Sequence, residues 1–378
     1  MKSKYFVFPL SVAAIAIFLI SGSPSVSTSE AAEPIKHAEP IKWRIQTALT
    51  AGSMYFGLVQ KFAERIDKMS GGRLKTEVLP DGAVVGFFEI LDAVDKGVVE
   101  GGMAWTHFWS GKHPAAYLFS DQPTIGGMDQ LGYLAWYYDG DGYKLYNEFY
   151  RDVLKVNVVG FIMQVSGGQP LGWFKKPIYS LADFQKLKYR SPPGLTGELF
   201  TEMGISAVAL PGAELIPAAQ KGIIDAGEWL GPGEDIKLGL YQVWKHYYLQ
   251  GFHQASDLGE VLINKDFWNK LSPDLQAIIE GSARASIVEA ISKNIYGHAK
   301  GLKELVEKHG VIVHKTPKDL YPEFLRASEV VVAKYSAKDP FFKKVVDNQR
   351  AFAALIVPYW TDMLGLYVAL GEAALKKK

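Results

Sequence analysis

The sequence predicts an α/β protein with two lobes, a hinge between them and a long C-terminal helix. Three observations support this fold class. Apolar residues follow strand-type alternation and helix-type spacing in turn from residue 43 to residue 104. An apolar strand at residues 259–264 can return the chain to its first sheet, and helical patterns dominate from Ser272 onward. A chain that returns to its first lobe crosses twice between lobes, which creates a hinge and a cleft suited to a ligand.

Residues 1–32 have the pattern of a secretory signal peptide. Lys2 and Lys4 precede an apolar stretch at residues 5–20, and residues 29–32 offer small-x-small cleavage sites. The apolar stretch is shorter than the roughly 20 residues that span a bilayer, which favours cleavage over a retained membrane anchor. We therefore expect a periplasmic protein with a flexible spacer at residues 33–40.

Length and composition exclude several classes of protein. A chain of 378 residues is too long for one ordinary core, which supports two lobes. Its 41 basic and 40 acidic residues give a formal net charge of +1, so we expect no nucleic-acid partner. The absence of cysteine excludes disulfides, thiolate metal sites and a lipid-modified cysteine anchor.

The first lobe is predicted at residues 41–164 and 258–330. Its predicted strands lie at residues 43–47, 74–78 and 98–104, and its predicted helices at residues 58–69 and 86–96. The first helix should end at Ser70, because two glycines follow it. Strands that alternate with helices predict parallel pairing with right-handed crossovers.

The second lobe is predicted at residues 165–257, where a similar alternation follows. A strand predicted at residues 156–163, in the first lobe, leads into it. Within the second lobe, strands are predicted at residues 189–190, 208–210 and 223–229, and helices at residues 181–187 and 198–203. Residues 331–378 form a C-terminal helical segment that we expect to pack across the lobes or between subunits.

The candidate site lies between Gln169 and Gln254. Arg190 can pair with a carboxylate, Gln169 can orient it, and nearby aromatic residues can form apolar walls. Taken alone, Arg190 could instead be a structural ion-pair partner, and Glu228 could be a surface or helix-end residue. The small and apolar neighbours of Glu228 indicate partial burial, and a buried carboxylate needs a cation, either Arg190 or a metal. Oxygen ligands suit Na⁺ or Ca²⁺ better than zinc.

No catalytic motif is present, and we predict that the protein is not an enzyme and has no catalytic residues. Ser166 lacks the first glycine of a nucleophile elbow, and Gly231-Pro-Gly233 lacks the third glycine of a dinucleotide loop. Two alternatives remain: an exported hydrolase or lyase that uses Glu228 as base with His253 nearby, or a ligand sensor for a membrane receptor.

Five short motifs, in their order and spacing, carry a family resemblance. They are Ser-Gly-Gly-Arg-Leu at 70–74, a helix at 89–97, Trp-Ser-Gly-Lys-His-Pro-Ala at 109–115, Gly-Trp-Phe-Lys-Lys at 172–176 and Ile-Asp-Ala-Gly-Glu-Trp-Leu-Gly-Pro at 224–232. The chain resembles the extracytoplasmic solute-binding subunits of TRAP transporters, the DctP-type family, and in particular the branch that binds 2-oxo or 2-hydroxy monocarboxylates with a metal ion. The resemblance implies a two-lobe periplasmic-binding-protein fold, a small organic acid as ligand and TRAP membrane subunits as partners.

The same resemblance implies roles for five residues. Arg190 corresponds to the arginine that binds the ligand carboxylate, and Gln169 to a residue that touches both ligand and metal. Glu228, and Trp229 through its backbone carbonyl, correspond to metal ligands. Gln254 lies where keto-acid-binding relatives tend to carry glutamate. This departure leaves the identity of the acid open, because a neutral glutamine changes the charge and the hydrogen-bond pattern near the ligand tail. We expect Na⁺ or Ca²⁺ as the metal, and little loss of stability on removing Arg190 if it faces an open, wet cleft.

The C-terminal segment indicates an oligomer. Apolar residues keep helical spacing from Val345 to Leu370, and Pro358 lies inside the pattern, where it should kink the helix. This helix could pack on its own two lobes. The resemblance implies otherwise, because the metal-dependent branch includes dimers that exchange a long kinked C-terminal helix. We therefore predict a homodimer.

Overall fold

The computed structural model describes residues 39–120, 125–192, 194–210 and 212–376. The predicted signal peptide at 1–32, and all of the predicted spacer except its last two residues, lie outside the described residues. The described residues form one compact unit. Within them, eleven strands form two sheets: β1 (Ile41–Thr47), β2 (Leu74–Leu79), β3 (Gly101–Trp105), β4 (Val158–Val165), β5 (Gly172–Phe174), β6 (Lys188–Arg190), β7 (Ser206–Val208), β8 (Ala226–Gly227), β9 (His246–Tyr248), β10 (Leu258–Asn264) and β11 (Ile312–His314).

The helices account for most of the remaining regular structure. They are α1 (Met54–Met69), α2 (Ile90–Asp95), α3 (Gln130–Asp139), α4 (Gly142–Glu148), α5 (Leu181–Phe184), α6 (Leu195–Glu202), α7 (Gly212–Gln220), α8 (Pro232–Leu238), α9 (Lys265–Lys270), α10 (Pro273–His309), α11 (Leu320–Lys338) and α12 (Pro340–Leu375). Short 3₁₀ helices occur at Phe87–Glu89, Thr106–Trp109, Pro114–Phe119, Ile125–Gly127 and Leu240–Gln242, and a π-helical turn at Phe149–Leu154. The Ser53 hydroxyl caps α1 by accepting from the Tyr55 amide. Ser70 ends this helix, as predicted, before two glycines with positive φ.

The first sheet has the strand order β2-β1-β3-β10-β4. β1 pairs in parallel with β2 and β3, which confirms the predicted parallel layer. β10 pairs antiparallel with both β3 and β4, with a bulge between Gly259 and Glu260. The predicted return of the strand at 259–264 to the first sheet is therefore confirmed.

The second sheet has the order β11-β9-β5-β8-β6-β7. β6 lies in parallel between β7 and β8, whereas β5 is antiparallel to β8 and β9. β11 pairs with β9 in this sheet, although the predicted boundaries assign residues 258–330 to the first lobe. The difference arises because a three-residue strand after a long helix has no sequence pattern that identifies its partner. The partition of the chain into two moving lobes stays a prediction.

The first sheet is covered on both faces. Along β10, Val261 and Ile263 pack in one core with α1 and α10, and Leu262 packs in the other with α2, α3 and α4. Burial on both faces explains why β3, β4 and β10 are nearly continuous apolar runs, whereas β1 and β2 alternate and are partly exposed. Glu260 is the exception: it is buried on the second face and accepts hydrogen bonds from Tyr146, from Tyr150 and from the indole of Trp109.

The C-terminal segment is two helices, because Asp339 ends α11 and caps α12. The N-terminal part of α12 buries Phe342, Val345 and Ala353, whereas many apolar side chains beyond them are exposed. The helix continues through Pro358. By length and composition alone, α12 is the one helix among the described residues that is apolar enough to cross a membrane.

Candidate carboxylate and metal site

Strand pairing in the second sheet brings the predicted site residues together. β6 and β8 are parallel neighbours, with Arg190 opposite Gly227, so Arg190 and Glu228 emerge at the same edge. The main chain of Gln169, which follows β4, donates to the carbonyl of Gln254 at 3.0 Å. The carboxyl edge of parallel strands is where α/β proteins commonly bind ligands.

Two glycines allow these segments to approach closely. A Cβ at Gly172, where φ is 106°, would lie 2.4 Å from the carbonyl oxygen of Gly227 and 2.7 Å from the Cα of Glu228. A Cβ at Gly251 would lie 2.0 Å from the carbonyl oxygen of Gln169. Any side chain at these positions would push apart the segments that carry the site.

Arg190 is buried and already paired. Its Nη1 donates to the carboxylate of Glu228 and, at 3.2 Å, to the carbonyl of the same residue, while Nε donates to Leu210 at 3.0 Å. Its guanidinium carbon lies 5.3 Å from the ring centroid of Trp229, within cation–π range. Nη2 has no acceptor among the described residues, so its N–H groups can meet a ligand.

The side-chain amide of Gln169 lies against three oxygens. One amide atom is 2.6 Å from the carbonyl oxygen of Trp229, 2.9 Å from Glu228 Oε2 and 2.8 Å from Gln254 Oε1. With the nitrogen at that position, its two N–H groups face three acceptor oxygens. With Oε1 there instead, four oxygens converge on one point, and Nε2 donates to Asp257 at 3.3 Å. The structure thus brings together all five residues that the sequence singles out.

The charge on Glu228 is incompletely balanced by the protein. Burial raises the pKa of Glu228 to about 8, although the charge of Arg190 opposes this and those of Asp235 and Asp257 reinforce it. A buried carboxylate of this kind ionises readily only with more positive charge nearby. Carboxylate, amide and carbonyl oxygens are the ligands that hard cations prefer. The residues present therefore fit Na⁺ or Ca²⁺, and no cluster of three His, Asp or Glu residues suited to a metal occurs among the described residues.

Asp257 is a further residue of the site that the sequence analysis missed. It lies directly before β10, is buried, and accepts from Ser120 Oγ at 3.2 Å and from Ser166 Oγ at 3.3 Å. Burial raises the pKa of Asp257 to about 7. Its Oδ1 lies 3.7 Å from Nδ1 of His107. The one sequence signal that could have indicated Asp257 is its position as a polar residue immediately before an apolar strand.

The histidines near the site are neutral. Burial lowers the pKa of His107 to about 3, and burial together with the charge of Arg190 lowers the pKa of His253 to about the same value. His253 packs against the ring of Phe200, with 5.4 Å between ring centroids, and no hydrogen bond to Glu228 is recorded among the described residues. The pairing that the hydrolase or lyase alternative needs is therefore not formed in this structure.

The two sheets and the buried arginine beside an oxygen cluster define a receptor that holds a small acid. Residues 45–339 match the family of bacterial extracellular solute-binding proteins, family 7, also called DctP. The chain belongs to this family, whose members serve TRAP transporters as receptors outside the cytoplasm. The predicted family and receptor function are confirmed.

Individual relatives agree with this assignment. The chain is 30% identical over 312 residues to the monocarboxylate 2-oxoacid-binding periplasmic protein of Nostoc sp., which covers 82% of this chain and 84% of the relative. It is similar to a TRAP solute-binding protein of Bordetella bronchiseptica, a dimer with copurified calcium and picolinate: 26% identity, TM-score 0.82, and coverage of 89% of this chain and 99% of that one. A counterpart from Pseudoalteromonas atlantica, with bound sodium and pyruvate, gives 25% identity, a TM-score of 0.80 and coverage of 88% and 99%. These likenesses confirm the predicted fold class.

Proposed function

We propose that this protein captures a small 2-oxo or 2-hydroxy monocarboxylate together with Na⁺ or Ca²⁺ and delivers the acid to TRAP membrane subunits. The observation that carries the proposal is the convergence of the Gln169 amide with the oxygens of Glu228, Trp229 and Gln254, beside the buried guanidinium of Arg190. The relatives that bind pyruvate with sodium or picolinate with calcium support the same combination of ligand and ion.

In this proposal Arg190 binds the ligand carboxylate. Nη2 supplies the N–H groups that are available to the ligand. A bidentate pair that also uses Nη1 requires Glu228 to share that nitrogen. Glu228, Gln169 through Oε1, and Trp229 through its carbonyl would hold the metal. The bound ion would supply the positive charge that keeps Glu228 ionised, and the ligand carboxylate or 2-oxygen would complete the shell.

Gln254 contributes in a different place from the one the resemblance implies. Its Oε1 lies 2.8 Å from the Gln169 amide, inside the oxygen cluster. We therefore assign Gln254 to the metal side of the ligand. A neutral amide adds an oxygen there without adding negative charge, which favours an ion of low charge or a ligand that brings its own anion.

Calorimetric titration tests this function. Wild-type protein is titrated with pyruvate, lactate and longer 2-oxo acids in metal-free buffer and in buffer with Na⁺ or Ca²⁺. We expect tight binding of at least one acid and clear dependence on one ion. Equal affinity with and without metal ions would contradict the metal part of the proposal, and failure of every acid to bind would contradict the ligand class.

Receptor function without turnover separates this proposal from the hydrolase or lyase alternative. We expect candidate acids to be recovered chemically unchanged after prolonged incubation with the protein, as measured by mass spectrometry. Accumulating product would favour the enzyme instead. Uptake that depends on both membrane subunits would separate transport from the sensor alternative.

We also propose that the mature protein works in the periplasm as a homodimer. The C-terminal part of α12 exposes many apolar side chains: Leu355, Tyr359, Met363, Leu366, Tyr367, Val368 and Leu370. So much exposed apolar surface on one helix favours a protein partner, and the dimeric relative of Bordetella bronchiseptica supports a second copy of this chain as that partner.

A further inference from the structure

The Gln169 amide lies between two groups of acceptors that it cannot satisfy together. On one side, Asp257 Oδ2 is 3.3 Å from one amide atom. On the other side, the oxygens of Trp229, Glu228 and Gln254 lie 2.6 to 2.9 Å from the other amide atom. An amide has one donor end and one acceptor end, so one side receives N–H groups and the other faces an oxygen.

A cation in the oxygen cluster would favour one of the two orientations of the Gln169 amide. Metal coordination requires the amide oxygen to face the cluster, which turns Nε2 toward Asp257. Without a cation, the three oxygens attract the nitrogen, and the amide oxygen then faces the carboxylate of Asp257. The hydroxyls of Ser120 and Ser166 both donate to Asp257, which favours its ionised form against the effect of burial. An ionised carboxylate only accepts hydrogen bonds, so it disfavours this second orientation and favours the first.

The remaining contacts of Asp257 leave its carboxylate available for this role. Ser120 and Ser166 are neutral, and each hydroxyl also reaches a main-chain carbonyl, of Leu258 and of Asp257 itself, at 2.9 Å. No lysine or arginine pairs with Asp257 among the described residues; its one basic neighbour is His107 at 3.7 Å. A buried carboxylate without a cationic side chain is costly to keep, which indicates a role beyond stability.

We propose that Asp257 is a positioning residue that selects the metal-binding orientation of the Gln169 amide. The inference rests on the proposed function, because it assumes that Gln169 Oε1 ligates the ion. Asp257 does not touch the ion; it holds Nε2 so that the amide oxygen faces the cluster before the ion arrives. Partners of this kind, one contact removed from the metal, commonly tune metal affinity.

The test measures Ca²⁺ affinity by calorimetry in the presence of saturating pyruvate. Asp257→Asn can present its own NH₂ to the Gln169 oxygen, so the amide loses its bias, and we expect Ca²⁺ affinity to fall by about 10- to 100-fold. Asp347→Asn, which removes an exposed aspartate on α12, is the matched control and should keep wild-type affinity.

A double-mutant cycle distinguishes positioning from a general structural effect. In Gln169→Glu, both ends of the side chain are oxygens, so its orientation no longer matters. Asp257→Asn should then cost no Ca²⁺ affinity in the Gln169→Glu background, where it also removes the repulsion between two neighbouring carboxylates. An equal loss in both backgrounds would overturn the positioning role.

The outcomes separate this inference from the proposed function. Wild-type Ca²⁺ affinity in Asp257→Asn, with the wild type binding normally, would overturn the inference and leave the proposed function intact. A wild type that binds no metal ion would overturn both. If Asp257→Asn fails to fold, a crystal structure of the Ca²⁺-loaded wild type decides. We expect Ca²⁺ to contact one amide atom of Gln169, and Asp257 to lie within 3.5 Å of the other amide atom. Any other arrangement of this amide contradicts the inference.

Discussion

Arg190 and Glu228 form a buried ion pair across two parallel strands, in which one guanidinium nitrogen serves both the carboxylate and the main-chain carbonyl of the same residue. The condition under which removal of Arg190 would cost little stability, an open and wet cleft, is not met, because Arg190 is 7% exposed and Glu228 is 1% exposed. The ligand therefore meets an arginine that is already oriented and partly neutralised. Ligand binding must therefore rearrange the contacts of an existing ion pair and does not provide a partner for a free arginine.

Arg190→Ala should weaken ligand binding and also destabilise the protein. Removing one partner of a buried, hydrogen-bonded pair costs about 2–5 kcal/mol of binding, which corresponds to roughly 30-fold or more in affinity. The same change leaves Glu228 buried without its partner, which costs about 3–5 kcal/mol of folding stability. Arg190→Lys should restore binding only partly, because an ammonium cannot reproduce the guanidinium fork.

For both Arg190 variants, calorimetric titration with pyruvate measures the ligand affinity, and urea unfolding measures the folding stability. Arg326→Ala, which removes an exposed arginine paired with Glu323 and Glu202, is the control and should leave ligand affinity unchanged. Wild-type ligand affinity in Arg190→Ala would remove Arg190 from the site.

Glu228→Gln should abolish most of the metal dependence without unfolding the protein. Glutamine keeps the shape and one oxygen of the side chain but removes the negative charge that a cation would balance. The expected result is a lower ligand affinity in Na⁺ or Ca²⁺ buffer that approaches the affinity of the wild type in metal-free buffer. The two titrations are run side by side, and a variant that still responds to the ion as the wild type does would show that Glu228 is not a metal ligand.

His107 should make the protein less stable in acid. Its folded pKa of about 3 lies below the usual 6.5, so the unfolded chain binds a proton that the folded chain does not. The contribution of neutral His107 to the free energy of unfolding is therefore fully present above pH 6.5. It is lost as pH falls toward 3, by about 1.4 kcal/mol per pH unit. Glu228 and Asp257, whose pKa values are raised, change the stability in the opposite direction as pH falls. The pH dependence of the wild-type stability alone therefore does not isolate the effect of His107.

The informative quantity is the difference in unfolding free energy between the wild type and His107→Gln from pH 5 to pH 8. This difference should shrink as pH falls below about 6.5, because only the wild type carries the titrating group. A difference that stays constant over this range would mean that folding does not shift the pKa of His107.

Leu366→Arg combined with Leu370→Arg should convert the proposed dimer into a monomer. Both side chains are exposed on α12, so the folded monomer loses no packing, whereas an apolar interface would have to bury two charges. Truncation after Asp347 is a harsher test because it also removes Gln349 and Ala353, which are buried. Light scattering measures the mass, and Val288→Arg on the exposed side of α10 is the control. A wild-type mass for the α12 double variant would contradict an interface there.

Local patterns in the sequence were sufficient for much of the fold. Apolar periodicity located α1 with its end at Ser70, the parallel strands β1 to β3 and the strand at β10, because each pattern reflects which residues of that segment are buried. The residue types and their surroundings suggested Arg190, Gln169 and Glu228 as candidates, and the resemblance gave them specific roles and added Trp229 and Gln254. Their roles stay predictions, although the structure brings them together.

Tertiary structure alone decided what these residues contact. The β6–β8 pairing places Arg190 on Glu228, and the approach of residues 249–257 to Gln169 adds Gln254 and Asp257. β11 joined the second sheet for the same reason, since its partner β9 is more than sixty residues away. Pairing between distant segments depends on how the whole chain packs, and so do burial and the charge environment, which is why Asp257 and the burial of Arg190 had no reliable signal in the sequence.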